Sequence, residues 1–392
     1  MNRHLWLLVA CQGIFFTNNV TFIAINGLVG LALAPVGWMA TLPVMGYVVG
    51  GALSTGLVAR TQQRWGRKGS FQLGLAVAVF SSLLCAWAAY TSHFWVLVAA
   101  TVIAGYYNAN AQLYRFAAAE LAEPSNREKA VSFVMAGGLI GAIAGPNLAS
   151  ATRNLTAIPF AGAYFSLAGV ALLGMAVLSF IHFPPPPAKG SAGGGRPLGE
   201  IMRQPVFVVA AIGSALGFGV MNLLMAATPL AMQTCGLPFS DAAIVLQWHV
   251  IGMFAPGFFT GHLIKRFGTL PIMGLGLSLN VVCVMIALSG VELHHFEIAL
   301  FLLGVGWNFL FTGSTTLALG TWRPEEKDKA QGALNFCVFA VTAITSLASG
   351  ILVTTQGWTL LNLGSLLPMA VMGLSLVWLA LRQKRESAAA PV

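Results

Sequence analysis

Charged side chains are scarce in this chain of 392 residues. Lys and Arg together number 20 and Asp and Glu 11, so that charged residues make up 8% of the sequence, against roughly 25% in soluble domains. So few charges cannot cover the surface of a soluble globule of this size, and 57% of the residues are hydrophobic. The composition therefore excludes a soluble enzyme, a disordered chain and a secreted disulfide scaffold, and indicates a polytopic membrane protein.

Patterns typical of metal binding and catalysis are also missing from the sequence. The five cysteines occur singly, without the paired spacing of a zinc site or a disulfide framework. There is no H-E-x-x-H motif, paired Asp or Ser/His set, so we expect neither an enzyme nor a resident metal or cofactor. The net charge of +9 does not indicate a nucleic-acid partner, because membrane proteins collect Lys and Arg for topological reasons.

Twelve apolar runs are long enough to cross a bilayer, which takes about 20 helical residues. They occupy residues 5–31, 37–59, 70–91, 94–119, 130–151, 159–182, 205–229, 240–262, 270–289, 297–319, 330–354 and 359–381. A Pro- and Gly-rich break separates the first six runs from the last six. The sequence therefore predicts an all-α membrane protein of two six-helix bundles, residues 1–183 and 205–392, joined by a cytoplasmic linker at 184–204.

Basic residues lie almost entirely on one side of this arrangement. If the N-terminus is cytoplasmic, the Lys and Arg residues fall inside except for Arg153 and for Arg115, which sits at a helix end. The outer turns then carry Asp241, Glu292 and Glu297. The excess of basic residues in cytoplasmic turns predicts that both termini are cytoplasmic and that the protein lies in the inner, or cell, membrane.

The two halves repeat each other in sequence. Asn108 and Asn308 are 200 residues apart, and each follows an aromatic residue. The same offset, or one within three residues of it, relates Tyr107 to Trp307, Pro124 to Pro324, Asn19 to Asn222, and Gly66 to Gly268. A near-constant offset predicts two homologous bundles in parallel orientation, with any binding site near the midplane between them.

The segment ARTQQRWGRK, which ends at Lys68, resembles the G-x-x-x-D-R-x-G-R-[KR] loop of the major facilitator superfamily of transporters. Arg64, Gly66 and Arg67 also match this motif, whereas Gln63 replaces its Asp and an Ala replaces its first Gly. The resemblance implies two pseudo-symmetric six-helix bundles that work by alternating access. It also implies that the four matching residues take part in gating.

A second motif lies in the fifth predicted helix. The pattern Gly141-x-x-x-Gly145-Pro146 resembles a motif of the family's antiporters, which implies a gating role for Gly145 and Pro146. Close packing of a smooth glycine face against a neighbouring helix is the alternative.

The resemblance further implies that helices one, four, seven and ten line a central cavity. The residues with the greatest hydrogen-bonding capacity fall on these helices. Inside the membrane a polar group either joins helices or lines a watery path. We therefore predict that a solute binds there. The predicted residues are Asn18, Asn19, Phe22, Asn26, Tyr107, Asn108, Gln112, Asn222, Trp307 and Asn308, together with His249 of helix eight.

His249 is the candidate coupling residue. Proton-coupled members of the family carry a carboxylate deep in the first bundle, but here Glu120 and Glu123 lie at a helix end and Asp241 begins a helix. The remaining mechanisms are uniport, coupling to another ion, and proton coupling through histidine. His249 lies about 13 Å into its helix, and its ring can change charge between pH 5 and 8. A neutral imidazole bonded to a neighbouring helix is the alternative.

These observations predict a secondary active or facilitative transporter. It acts as a monomer in the lipid bilayer and moves a small amphipathic organic solute, with protons as a candidate coupled ion. The motif of helix five slightly favours export. An acid-poor cavity lined by Asn and aromatic residues equally suits uptake of a neutral planar nutrient such as a flavin-like vitamin. A membrane receptor or scaffold is the alternative from another class.

Overall fold

The protein is described by a computed structural model that covers residues 3–36, 39, 42–184 and 195–389, in which every regular element is a helix. In chain order the α-helices are α1 Arg3–Leu33, α2 Leu42–Tyr90, α3 Phe94–Ala111, α4 Tyr114–Leu121, α5 Arg127–Ala136, α6 Gly138–Thr152, α7 Ala161–Ser179, α8 Leu198–Met202, α9 Pro205–Thr234, α10 Phe239–Phe254, α11 Gly257–Phe267, α12 Thr269–Ser289, α13 Leu293–Ala318, α14 Lys327–Thr355 and α15 Gly357–Ala389. Helices bond their own backbone groups, as a bilayer requires. The all-α prediction is confirmed.

The lengths and composition of the helices fit a multi-pass membrane protein. Among the described residues, nine helices are long and apolar enough to cross a membrane, or ten if the bent pair Ile244–Phe254 and Gly257–Phe267 is counted as one span. α2 has 49 residues, about 74 Å of helix, so it is long enough to cross a bilayer core of about 30 Å twice. The count of twelve spans stays a prediction.

Three predicted spans are interrupted rather than continuous. The span at 94–119 divides into α3 and α4, the span at 130–151 into α5 and α6, and the span at 240–262 into α10 and α11. Pro256 accounts for the last break, because its ring lacks the N–H that a helix interior needs. Gly137 marks the break between α5 and α6.

α2 turns sharply at Gly66, where φ is 68° and ψ is −177°. Gly268, at an offset of 202, has φ 91° and ψ 161° between α11 and α12. This backbone region is essentially restricted to glycine. The predicted loop between the second and third spans is therefore helical on both sides of one glycine, and the second half repeats that glycine-dependent break.

We expect Gly66→Ala to lower the free energy of unfolding by about 1–3 kcal/mol, because alanine is strained in this conformation. Gly56→Ala in the same helix is the matched control, since a Cβ there would meet nothing within 4 Å. Alanine also favours helix over glycine, so the control should be neutral or stabilising. Thermal unfolding in detergent compares the two variants, and equal midpoints would contradict the expectation.

Residue contacts divide the chain into two compact units. The first unit comprises Met1–Ala192 and Gln331–Ala343, and the second comprises Gly193–Ala330 and Ile344–Val392. Within the first, α2 packs along α3 and α7, and α1 packs on α6 and α7. Within the second, α13 packs on α9, α10 and α12. The predicted halves, 1–183 and 205–392, stay a prediction, and residues 185–194 of the predicted linker lie outside the described residues.

Candidate functional site

Two predicted asparagines of α1 are held by hydrogen bonds within the first unit. Asn18 is 4% exposed, and its Nδ2 donates to a backbone carbonyl of α7 at 3.2 Å. Asn26 is fully buried; its Nδ2 donates to the carbonyl of Phe22 at 2.8 Å, and its Oδ1 accepts from the hydroxyl of Tyr164 at 2.9 Å. These bonds join α1 to α7, so both amides contribute to packing.

The side chains predicted to bind solute in and near α3 make fewer hydrogen bonds within the protein. Tyr107 is buried with its ring edge-on to that of Phe15, at 5.5 Å between centroids. Asn108 is 6% exposed, whereas Gln112, at the break between α3 and α4, is half-buried, as is Asn19 of α1. Among the described residues these three amide side chains have no hydrogen-bond partner, so their polar groups are available to a solute.

An aromatic cluster surrounds Trp307 in the second unit. Its ring stacks on Phe311 at 4.9 Å between centroids, and it meets Phe218 and Phe254 edge-on at 5.7 and 5.9 Å. Trp307 is 1% exposed, and within the described part of the chain its indole N–H has no hydrogen-bond partner. A buried donor without an acceptor costs free energy. A solute that accepted a hydrogen bond from this N–H would remove that cost.

The two asparagines of the second unit that are predicted to bind solute already have partners there. Asn308 is fully buried; its Oδ1 accepts from the hydroxyl of Thr260 at 2.7 Å, and its Nδ2 donates to the carbonyl of Met253 at 2.6 Å. Asn222 is half-buried, and its Nδ2 donates to two hydroxyls of α14 at 2.9 and 3.2 Å. Asn308 therefore differs from Asn108 in its hydrogen bonding, although the two residues occupy equivalent positions in the sequence repeat.

His249 lies fully buried in α10, where its Nδ1 is 2.7 Å from the carbonyl oxygen of Leu300 in α13. A carbonyl only accepts, so Nδ1 carries the proton of this bond and Nε2 is the remaining acceptor of a neutral ring. Nε2 has no hydrogen-bond partner among the described residues. The ring thus has the bond to a neighbouring helix that the alternative interpretation requires, and one nitrogen that could still take a proton.

Arg67 is the centre of a buried polar network in the first unit. Its Nε and Nη2 donate to the two carboxylate oxygens of Glu120 at 3.1 and 2.6 Å, and Nη1 donates to Oε1 of Gln62 at 3.1 Å. Nη2 also donates to Oε1 of Gln331 at 2.7 Å. The side chain of Arg67 is 2% exposed and that of Glu120 is 20% exposed. The bidentate pairing with Glu120 joins the bend of α2 to α4, and the bond to Gln331 joins it to the start of α14.

The other residues predicted to act in gating have simpler surroundings. Arg64 is exposed, and the Nζ of Lys68 donates to the carbonyl of Ser179 at 2.6 Å. A Cβ at Gly145 would lie 3.0 Å from the Cβ of Val20, so this glycine lets α6 approach α1 closely. The side chain of Pro146 lies outside the described residues. The packing alternative thus has support at Gly145, and the gating role stays a prediction.

Sequence analysis missed the partners of the buried arginines. Arg115 is 1% exposed and donates from Nη2 to Oδ1 of Asn335 at 2.8 Å. Gln331 and Asn335 are four residues apart on α14, and that spacing places both on one helix face. An amide pair at helical spacing in an otherwise apolar run was the available signal.

A buried carboxylate of the second unit, that of Glu326, pairs with Arg196. The Nη2 of Arg196 is 2.7 Å from Oε2 of Glu326, and its Nε donates to Oε1 at 3.0 Å. These hydrogen bonds hold the pKa of the Arg196 guanidinium above its usual value. The pair anchors the chain just before α8 to the turn that precedes α14.

Comparison with known proteins identifies the family. The Major Facilitator Superfamily matches residues 5–337, with an overlapping second match at 244–392. The chain belongs to this superfamily and is therefore a multi-pass membrane transporter. The resemblance inferred from its motifs is confirmed.

Two relatives are similar in sequence over most of their length. The riboflavin transporter RfnT of Brucella anthropi is 38% identical over 393 residues, which cover 99% of this chain and 98% of that protein. The uncharacterized MFS-type transporter YddS of Bacillus subtilis is 25% identical over 86% of this chain and 81% of its own length.

Solved structures share the fold. A variant of the E. coli fucose:proton symporter FucP has a TM-score of 0.77 at 14% identity and covers 95% of this chain and 98% of its own. The human organic anion transporter TETRAN has a TM-score of 0.75 at 14% identity and covers 94% and 99%. At such identity the likeness shows the fold alone.

Proposed function

We propose that this protein carries riboflavin into the cell. The observation that supports the proposal most is the 38% identity to a riboflavin transporter over nearly the whole of both chains. Riboflavin is uncharged and consists of a planar ring system with polar edges and a chain of hydroxyl groups. The residues predicted to bind solute are amides, aromatic rings and one imidazole, which suit such a molecule better than a charged one.

Unpartnered polar atoms at repeat-related positions support a binding role for particular residues. Tyr47 and His249 are 202 residues apart, as Tyr107 and Trp307 are 200 apart. The hydroxyl of Tyr47, Nε2 of His249 and Nε1 of Trp307 are all buried without a partner among the described residues. Buried polar groups are normally bonded, so each of these atoms is a candidate contact for a ring edge or hydroxyl of riboflavin.

The amide side chains divide into two roles within this proposal. Asn19, Asn108 and Gln112 contact the solute, because their amides are not used within the protein. Asn18, Asn26 and Asn308 position neighbouring groups, because their amides already bond to other helices. Asn222 and the rings of Phe22 and Tyr107 complete the proposed set.

Counterflow in proteoliposomes tests the substrate. Vesicles loaded with unlabelled riboflavin should accumulate labelled riboflavin transiently, and vesicles without protein should not. Lumichrome, which keeps the ring system without the hydroxyl chain, should compete, whereas ribitol should compete weakly. Absence of saturable riboflavin exchange would overturn the proposed substrate.

The direction of transport is tested in cells. Expression should rescue a riboflavin auxotroph that lacks its own transporter at a low vitamin concentration. If expression instead raises flavin in the medium and slows growth, the protein is an exporter, as the helix-five motif slightly favoured.

Trp307→Phe should weaken riboflavin binding by up to about tenfold. The change keeps an aromatic ring against Phe311 but removes the indole N–H, and one hydrogen bond contributes roughly 0.5–1.5 kcal/mol. Quenching of flavin fluorescence measures the affinity. Trp378→Phe is the matched control, because Trp378 is 48% exposed on α15; equal affinities in both variants would remove Trp307 from the site.

Coupling to protons through His249 forms part of the proposal. Nδ1 is engaged with Leu300, so an added proton would go to Nε2 and produce an imidazolium inside the second unit, a charge that favours a different packing. His249→Gln should abolish pH-driven accumulation and retain counterflow, with at most the loss of affinity that one hydrogen bond to riboflavin accounts for. His262→Gln, a change at an exposed histidine of α11, is the control. Retained pH-driven accumulation in His249→Gln and in His249→Ala would refute the coupling role.

The remaining features follow the family's mode of action. The halves 1–183 and 205–392, joined by the linker 184–204, act by alternating access in the inner membrane, with both termini cytoplasmic and the protein monomeric. The proposed gating residues are Arg64, Gly66, Arg67, Lys68, Gly145 and Pro146.

A further inference from the structure

The turn between α12 and α13 brings three potential metal ligands together. Glu292 is the residue that precedes α13, and His294 and His295 lie in its first turn. One ligand atom from each of the three residues lies within 4.8 Å of the others. This turn is on the predicted outer side of the membrane and takes no part in the proposed transport site.

The two imidazole rings and the carboxylate face one another closely. The rings of His294 and His295 are 4.3 Å apart between centroids with an angle of 31°, and Nδ1 of His294 is 3.6 Å from Oε2 of Glu292. The side chains of His294 and Glu292 are 59% and 75% exposed. Solvent therefore reaches these two side chains, so an ion can approach the cluster from their side.

The ring of His295 is fixed by its surroundings. It lies directly over Gly290, where a Cβ would overlap the imidazole. The ring can occupy this position only because Gly290 has no side chain. Nδ1 of His295 is buried and has no hydrogen-bond partner among the described residues. An unsatisfied imidazole nitrogen beside a second imidazole and a carboxylate is a group that a metal ion would satisfy.

We propose that Glu292, His294 and His295 bind a divalent transition-metal ion such as Zn²⁺. Imidazole suits Zn²⁺, Ni²⁺ and Cu²⁺, whereas Mg²⁺ and Ca²⁺ prefer oxygen ligands. In a tetrahedral site, metal–nitrogen and metal–oxygen bonds of about 2.0–2.2 Å place the ligand atoms about 3.3–3.6 Å apart. The observed spacing of at most 4.8 Å therefore has to close by up to about 1.5 Å, shared between two side chains, and a fourth position remains for water.

Isothermal titration of the detergent-solubilised full chain, with no affinity tag and with excess Mg²⁺ present, tests the site. Zn²⁺ should bind at about one equivalent. Glu292→Gln, His294→Ala and His295→Ala should each weaken binding at least tenfold, the loss that even an outer-shell partner can cost. Zn²⁺ should also raise the unfolding temperature of the unmodified protein and not that of the variants.

Two controls separate this site from other ligands in the chain. His4 and His182 form another pair of histidine rings, 5.4 Å apart, and Cys235 is an exposed thiol. His4→Ala and Cys235→Ser should leave the Zn²⁺ affinity unchanged. Loss of binding in either control, unchanged affinity in the three cluster variants, or no binding by the unmodified protein would each overturn the proposal. If a cluster variant does not fold, His295→Gln replaces it.

Discussion

Arg67→Ala should lower the free energy of unfolding by about 3–5 kcal/mol, the usual cost of removing one partner of a buried ion pair. The guanidinium makes two bonds to Glu120 and one each to Gln62 and Gln331. Its removal leaves a carboxylate and two amide oxygens without their donor in a largely buried place. Thermal unfolding in detergent and the yield of folded protein measure the loss.

Arg64→Ala is the matched control for this prediction. Arg64 lies three residues earlier on α2, carries the same charge and is exposed, so its loss should change stability by less than about 0.5 kcal/mol. A similar loss of stability in both variants would mean that the network around Arg67 is not what stabilises this region.

A more conservative variant tests the proposed gating role of the same residue. Arg67→Lys keeps the charge but loses the planar fork that engages Glu120 and Gln331 together. If the network holds one conformation of the transport cycle, Arg67→Lys should change the rate of exchange of the proposed substrate, riboflavin, more than its affinity. Reduced affinity with an unchanged exchange rate would contradict the gating role.

Gly105→Ala should be the most damaging single-methyl substitution in α3, with a cost of about 3 kcal/mol or more. A Cβ at Gly105 would overlap the backbone of Gly50 and Gly51, and one at Gly50 would overlap the carbonyl of Val102. Since backbone atoms cannot turn aside as a side chain can, α2 and α3 would have to separate. Overpacking of this kind usually lowers the free energy of unfolding by about 1–3 kcal/mol, and by more where the neighbouring atoms cannot move.

The second unit contains the corresponding contact. A Cβ at Gly304 of α13 would overlap the carbonyl of His249 and come within 2.8 Å of the backbone nitrogen of Met253 in α10. Gly304→Ala should therefore cost about as much as Gly105→Ala. Gly169→Ala in α7 is the control, because a Cβ there would meet nothing within 4 Å. If Gly105→Ala and Gly304→Ala give the same yield of folded protein as the control, these helices can move apart at little cost in free energy.

Sequence alone determined the class of protein. The scarcity of charge, the apolar runs and the near-constant offset between Asn108 and Asn308 or between Gly66 and Gly268 are properties of the linear chain. A helix that crosses a bilayer must satisfy its own backbone, so length and hydropathy nearly suffice to place it. The motif around Arg67 then identified the family, which the comparison with known proteins confirmed.

Only the tertiary structure decided what each polar side chain does. Asn108 and Asn308 occupy the same place in the repeat, yet the side chain of Asn308 is bonded to α10 and α11, while the side-chain amide of Asn108 has no partner among the described residues. Likewise, the sequence places Arg67 in a basic segment but does not reveal Glu120 and Gln331 as its acceptors. Hydropathy and repeat spacing depend on residues along one helix, whereas the partner of a buried amide or guanidinium depends on which neighbouring helix packs against it.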